Sequence, residues 1–387
     1  MKNRIDESIE ELNIEFRIHH AIAEIPAEKW DALAGNQPFL RHAFLAALED
    51  CRCIGKGTGW TAMHAALWQD DAPIAAMPLY AKQHSWGEYV FDWAWADAYA
   101  RHGLRYYPKL LCAIPFSPVP GMRMLSTSPE ARAALLDCVL ALARDNQISS
   151  FHLLFPEGED LACAESRGLL IRRNVQFHWS SAGETDFEGF LARLNHEKRK
   201  KIRQERRKVA EAGVSFDWRA GREIEDADWK FFVRCYETTY AEHGSAPYLN
   251  LDFFRRIGKV LPEACVLVIA SRGGRRIASS LMLRDDTALY GRYWGSIEYV
   301  PCLHFDACYY QGIAYAIANG LQRFEGGAQG EHKLARGLEP VATASAHWIS
   351  DPRFRDAVAD FLERERDGID AYLDELAERL PFKRDAS

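Results

Sequence analysis

LYGRYWGSIEYVPCLHFDACYYQGIAYAIANGLQRFEGG, residues 289–327, reads as strand, aromatic loop, helix and glycine-ended strand. Apolar alternation predicts a strand over Ala288–Trp294, a helix over about His304–Asn319 and a strand over Gln322–Glu325. Two strand-like runs precede it, Cys265–Ala270 and Arg276–Leu283. Gly273-Gly274 and Asp285-Asp286 supply the turns that make the three neighbours antiparallel. Upstream, Asp186 can cap a long helix from Phe187 to Ala212, stopped by Gly213. A strand at Val214–Trp218 and helices at Asp226–Glu242 and Leu251–Lys259 follow. Downstream, Ala344–Ile349 is a last strand. Asp351 to about Glu378 is a charged helix, with Phe354, Val358, Phe361 and Leu362 able to face the body.

The first half repeats this order. A strand at 14–20 precedes helical patterns after Pro26 and over Phe39–Glu49. Strand-like runs follow at Ala62–Trp68, Pro73–Tyr80 and Tyr89–Trp93, then a helix carrying Tyr99 and Tyr106, the proline-rich loop IPFSPVPG (114–121), a helix at Glu130–Arg144, and strands at Ser150–Phe155 and Val175–Trp179. Arg167-Gly168-Leu169 precedes His178-Trp179 by the interval that separates Arg336-Gly337-Leu338 from His347-Trp348. IAAMPLY (74–80) likewise resembles IASSLML (277–283). Together these indicate an internal duplication, with domains at 1–180 and 181–387.

With 387 residues, two domains are the natural expectation. A net charge of -7 argues against a dedicated nucleic-acid binder. Nine scattered cysteines read as free thiols in a reducing compartment, and no His/Cys/carboxylate set has metal-ligand spacing. The N-terminal MKNRIDESIEELN has no apolar h-region, and no apolar run approaches the ~18 residues of a membrane span. The expectation is a cytoplasmic protein of undetermined oligomeric state.

Three antiparallel strands, a helix and a further strand is the order of GCN5-related N-acetyltransferases (GNAT). In that fold, the fourth and fifth strands splay to bind the donor's pantetheine arm. HEKRKKIRQERRKVAEAGV (196–214), residues 289–327 and HKLARGL (332–338) resemble segments of the second domain of Fem-type peptidyl transferases. YVFDWAWADAY, YYPKLL, IPFSPVPG and GAQGEHKLARG are similar to a bacterial FemAB-like family named for peptidoglycan biosynthesis or recognition. The resemblance implies two tandem GNAT domains and transfer of an acyl or aminoacyl group to an amine, without a tightly bound cofactor. The donor would be acyl-CoA or an aminoacyl-tRNA, and the acceptor a small molecule or peptide. The chain departs from these families in lacking a recognisable pyrophosphate loop and the Arg-Gly pair of the Fem counterpart of IPFSPVPG. A non-catalytic binder of a peptidoglycan-related ligand is the alternative.

Acyl transfer to an amine needs orientation, a proton acceptor and carbonyl polarisation. GAQGEHK follows a strand end, where α/β sheets deliver residues to a crevice. Glu331 and His332 are therefore candidate bases, with Gln329, Lys333 and Arg336 as substrate-binding groups; the plainer reading is a polar helix start. His304 is a further candidate base, sharing a predicted helical face with Cys308 and Gln311, or else a packing residue. Strand alternation aligns Arg292 with Trp294, either for substrate or as a buried pair. Glu88, Asp92 and Trp93 are candidates for acceptor recognition. Tyr248 lies in a loop able to overhang a cleft. Lys198, Arg199, Lys201 and Arg203 on the basic helix are candidate phosphate ligands, against the alternative of a solvated charge run.

Overall fold

The computed structural model describes residues 13–328 and 330–383. The elements, in chain order, begin with β1 (Ile14–His19), α1 (Ala27–Ala34), α2 (His42–Asp50), β2 (Trp60–Ala62), β3 (His64–Gln69), β4 (Ala72–Met77) and β5 (Leu79–Lys82). They continue with α3 (Trp93–Arg101), β6 (Lys109–Cys112), β7 (Leu125–Ser126), α4 (Pro129–Asp145), β8 (Ser150–Leu154), α5 (Gly158–Ser166) and β9 (Leu170–Ser180). Next come α6 (Phe187–Arg193), α7 (His196–Glu211), β10 (Val214–Ala220), α8 (Asp226–Glu242), α9 (Leu251–Val260), β11 (Cys265–Arg272), β12 (Arg275–Arg284) and β13 (Ala288–Ser296). A helix over 303–318, α10, precedes β14 (Arg323–Ala328), β15 (Glu339–Ile349) and α11 (Pro352–Glu378).

The chain forms two compact units, Met1–Asn174 with Thr343–Asp370, and Val175–Ala342 with Ala371–Ser387. This differs from a division at residue 180 in two segments. Residues 343–370 belong with the first half of the sequence, and 175–180 with the second. Each unit thus takes its last strand from the other half.

In the first unit, β1-β3-β4-β7 form one sheet, and β2, β5, β6, β8 and β15 follow one another in the other. The core between α4 and the strands is aliphatic, with Leu135, Leu136 and Val139 packed on Leu67, Met77, Leu110 and Phe151. Each such buried side chain contributes about 1.5–3 kcal/mol. Ser128 caps α4 by accepting from Ala131 N–H, and Pro129 needs no partner in its first turn.

The second unit orders its strands β10-β11-β12-β13-β14-β9. Six consecutive residues of β11, Cys265–Ala270, are buried, as a central strand covered on both faces requires. On α9, Phe253, Phe254 and Ile257 turn inward at helical spacing.

Both copies of the Arg-Gly-Leu…His-Trp repeat occupy equivalent places. Gly168 and Gly337 take the left-handed turn (φ 72 and 87). His178 and Trp179 then pair with Glu325 and Phe324 of β14, and His347 and Trp348 with His152 and Phe151 of β8.

Five predicted elements differ. The strands expected at Ala62–Trp68 and Pro73–Tyr80 each break in two, β2 from β3 and β4 from β5, and the pieces lie in different sheets. The helix expected over 187–212 is two, because Leu194 leaves the helix to be buried and Asn195 caps α7 through Lys198 N–H. The strand expected at Tyr89–Trp93 is a loop entering α3, since Tyr89 has φ 63. Tyr106, expected on that helix, lies beyond its end and is buried before β6.

Candidate functional site

The second unit carries a fork. β13 and β14 pair in parallel only at Ala288–Arg323, Leu289–Phe324 and Tyr290–Glu325, although both strands continue. The cause is local. Met282 of β12 faces Gly291 while Leu281 faces Tyr293, so Arg292 is the extra residue of a β-bulge. This bulge interrupts the alternation expected to align Arg292 with Trp294. Beyond it, α8 holds the outer arm of β13: Thr239 Oγ1 donates to Trp294 O (3.0 Å), and a Cβ on Gly295 would stand 1.9 Å from Cys235 O. Arg292, Tyr293, Trp294 and Gly326–Ala328 along the two arms are half-buried.

Two histidines stand where the fork ends. His304, on α10, packs 5.4 Å from the Trp294 ring on the β13 arm. His332, on the short turn after β14, lies 6.5 Å from His304 between ring centroids. A π-helical turn at Asp306–Tyr310 interrupts α10, a local widening common at functional sites. It carries Tyr309, whose hydroxyl is 3.0 Å from His332 Nε2. Burial, then the Arg336 and Lys333 charges, holds the His332 pKa below the ordinary value. Burial, with His332, Arg336 and Lys333, lowers His304 to about 4. Both imidazoles are therefore neutral near pH 7, the form a proton acceptor needs.

Lys333 and Arg336, expected as substrate-binding groups, are both turned into the protein. Lys333 is buried and donates to Gly327 O (2.8 Å) and Ala328 O (3.3 Å), satisfying the carbonyls at the end of β14. Burial lowers its pKa to about 8. Arg336 is buried against Glu205 (2.8 Å), donates to His332 O (2.6 Å) and covers the Phe305 ring at 3.4 Å. Tyr310 OH donates to the other Glu205 oxygen. Both cations brace the histidine turn through these bonds, and the buried Arg336 Nε has no hydrogen-bond partner among the described residues. Gln329 lies outside the described residues.

Glu331 and His332 line a cavity of about 670 Å³ together with Lys198, Leu334, Arg379 and Phe382. Glu331 is paired with Arg379 at 2.6 Å. Arg199 and Arg203 lie on a different face of α7, lining with His196, Lys200 and Arg207 a basic depression of about 490 Å³. Arg203 is partly engaged by Glu188 (2.5 Å). Lys201 is exposed on the same helix, whose buried face is Ile202, Glu205 and Val209. Tyr248 packs edge-on against Tyr240. Cys308 carries a thiol pushed up by burial, and Gln311 bridges Trp218 and Asp306. Burial raises Asp306 to about 6, opposed by Gln311.

The first unit places its acidic candidates inside. Glu88 and Asp92 are 4 % and 2 % exposed, both paired with the buried Lys109 Nζ, with Glu88 2.8 Å away. Burial raises Glu88 to about 7 against the pull of Lys109. Burial also opposes ionisation at Asp92, but Lys109 and His152 overcome it and lower its pKa. Lys82, buried beneath Trp86 O (3.2 Å) and 3.7 Å from the Trp60 ring, is lowered by burial to about 7. These carboxylates tie the 85–93 loop to Lys109 and are enclosed, not displayed to solvent as an acceptor-binding surface would be. Trp93 is half-buried and packs at a tilt, its ring centroid 5.0 Å from that of the exposed Trp86. The network continues through Tyr106 OH, which donates to Asp92 (2.6 Å) and lies 3.1 Å from His152. His152 and His347 then share a 2.6 Å Nδ1–Nδ1 contact.

The first unit's equivalent of the fork is closed. β6 and β8 pair in parallel at three positions, and β5–β6 runs without a bulge. Residues 113–120 are buried, and Gly121 returns to bridge Pro156, its N–H donating to Phe155 O (3.0 Å). The buried Arg123 guanidinium donates to Val119 O and Met122 O, sealing the loop.

Two such units, one with its fork open, define a tandem GNAT-fold protein. The chain belongs to the FemAB-like family, described as peptidoglycan biosynthesis/recognition, which it matches over residues 21–384. The fold is similar to that of FemX at 12% identity and TM-score 0.55, covering 86% of this chain and 98% of FemX. It is also similar to the C-terminal domain of a protein proposed as a lysylphosphatidylglycerol synthetase from Agrobacterium fabrum: 10% identity, TM-score 0.53, 89% of this chain and 97% of that one. L-PGS from Bacillus licheniformis aligns at 11% identity and TM-score 0.52, covering 87% and 97% respectively. No curated protein matches the sequence. Among the described residues, no helix is long and apolar enough to cross a membrane, and no group of three or more His, Cys, Asp or Glu could hold a metal ion.

Sequence reasoning passes over Tyr309, Glu205, Lys82 and Lys109. Tyr309 stands within the quoted 289–327 stretch, but only the π turn brings it to His332. Lys82 and Lys109 end apolar runs, LYAK and KLLC, and a lysine ending a buried strand needs a buried counter-charge.

Proposed function

We propose that the protein is an N-acyltransferase of cell-wall-related chemistry, moving an acyl or aminoacyl group to an amine by direct attack. The donor, an acyl-CoA or an aminoacyl-tRNA, lies with its acyl end toward the open fork of the second unit. The acceptor amine enters from the cavity beside His332. As the amine nitrogen bonds to the carbonyl carbon, the donor's C–S or C–O bond breaks. The amine proton passes to His332, directly or through the Tyr309 hydroxyl, and then to the leaving group. His332 is preferred over Glu331 as base because its Nε2 is held 3.0 Å from the Tyr309 hydroxyl at the end of the fork.

The observation that carries this reading is the neutral His304–His332 pair at the end of the one open fork. The closed fork of the first unit favours one donor per chain. Single-turnover assays with acyl-CoA and aminoacyl-tRNA donors and a lysine-containing muropeptide acceptor test it. Transfer that His332→Ala slows by about 10²–10⁴-fold is expected. Transfer unaffected by His332→Ala and His304→Ala would remove the reading.

A further inference from the structure

The cavity beside His332 contains a cation from the chain itself. Glu197, Glu331 and Glu378 line it against Lys198 and Arg379, and with His332 neutral the lining is one charge negative. Arg379 follows the end of α11, its guanidinium 2.6 Å from Glu331 and 3.0 Å from Glu375. The segment after it is pinned. Asn195 N–H donates to Pro381 O and Lys383 N–H to Arg193 O, each at 2.9 Å, while the Arg193 guanidinium lies 4.7 Å from the Phe382 ring centroid. Leu380 and Phe382 then give the cavity an apolar lining beside its charged one.

We infer that this cavity binds a primary amine on an alkyl arm, and that Arg379 occupies the ammonium position, competing with that ligand for Glu331. The inference deepens the proposed acceptor site and rests on that reading for its place in catalysis. Three features support it. A carboxylate that accepts a guanidinium also accepts an alkylammonium. The apolar lining suits methylene groups, and the net negative charge disfavours anions. The volume falls in the range of small-molecule sites. Displacement is cheap: Arg379 and Glu331 are 51% and 43% exposed, so their contact is a partly solvated ion pair. Such a pair limits the competition to about fivefold in affinity. Arg379 is therefore a yielding occupant, set aside by any amine that binds Glu331 better.

Calorimetric titration of the full chain with cadaverine, and with glutarate as the anionic counterpart, tests this without any acyl donor. Cadaverine should bind the unaltered protein, bind Arg379→Gln about three- to fivefold more tightly, and bind Glu331→Gln at least fivefold more weakly, while glutarate gives no heat. Equal or weaker binding by Arg379→Gln overturns the inference, as does cadaverine binding by Glu331→Gln equal to that of the unaltered chain. Both side chains are half-exposed, and a far-ultraviolet spectrum confirms that each variant is folded. The expected binding pattern in a protein that transfers nothing would sink the acyltransferase reading alone. Active transfer with cadaverine affinity indifferent to Arg379 would sink this inference alone.

Discussion

The Tyr309 hydroxyl lies 3.0 Å from His332 Nε2, joining the π turn of α10 to the loop that follows β14. One hydrogen bond thus fixes the orientation of a neutral imidazole at the end of the fork. Tyr309→Phe keeps the ring and loses only that bond. It should lower kcat about 2- to 13-fold with KM nearly unchanged, since one neutral hydrogen bond contributes about 0.5–1.5 kcal/mol. Steady-state kinetics decide this; an effect on KM alone would move Tyr309 to substrate binding.

The depressed His332 pKa sets a pH profile. Activity should rise through a pKa below 6.5 and be level by neutral pH, because the base works only when unprotonated. Lys333→Met removes one of the charges that depress it, so the acid limb should move upward. A pH–rate series on both proteins checks the direction, and an unmoved or downward limb counts against His332 as base.

Arg336 and Glu205 predict a loss of stability. Their contact is buried on both sides and shared with Tyr310. Removing one partner leaves an uncompensated buried charge, so Arg336→Met should cost about 3–5 kcal/mol in urea unfolding. The double variant Arg336→Met/Glu205→Leu should recover part of it.

In the first unit, His152 and His347 are held neutral by burial, with Lys109 adding to the effect at His152, and His152 is lowered to about 3. A base whose folded pKa lies below its unfolded value is protonated more readily when unfolded. Stability is therefore complete above about pH 6.5 and falls as acid is added, by up to about 1.4 kcal/mol per pH unit for each histidine. Glu88, raised to about 7, contributes in the opposite sense, losing its share as pH rises from its unfolded value through 7. His347→Gln should flatten the acid slope measured by urea titrations at fixed pH.

Gly295 gives a steric prediction. A methyl group there would meet the Cys235 carbonyl, part of the α8 backbone, at 1.9 Å. Gly295→Ala should destabilise the protein by about 1–3 kcal/mol through overpacking and slow transfer by shifting the β13 arm. Gly368, which has no left-handed φ and whose Cβ would meet nothing within 4 Å, controls for adding a methyl group without a collision.

Much of the fold is legible because β11 to β14 obey simple patterns: apolar runs, paired turn residues and one amphipathic helix. The duplicated Arg-Gly-Leu…His-Trp signature is legible for the same reason, as matched glycine turns and matched strand positions. Three things escape. The bulge at Arg292 depends on which residues oppose it on β12, and no single strand encodes that. The exchange of β9 and β15 is a question of partner choice, to which period-2 alternation is blind. The acidic run at Glu88 and Asp92 looks solvent-facing until Lys82 and Lys109 arrive from β5 and β6 to neutralise it in the core. At the candidate site, residue type alone marks His332, His304, Lys333 and Arg336, but not that the two cations are buried, because a buried cation and an exposed one look the same in sequence.

The exchanged strands also constrain biosynthesis. The first unit's strands through β8 emerge from the ribosome long before β15, which completes their sheet. That strand appears roughly 175 residues after residue 174, a delay of about 10–35 s at ~5–20 residues per second. Until then the edge of β8 is an unsatisfied row of amides and carbonyls, able to pair with a passing chain. Newly made protein should therefore depend on chaperones most strongly during that interval, when half the polypeptide exists and neither unit can close.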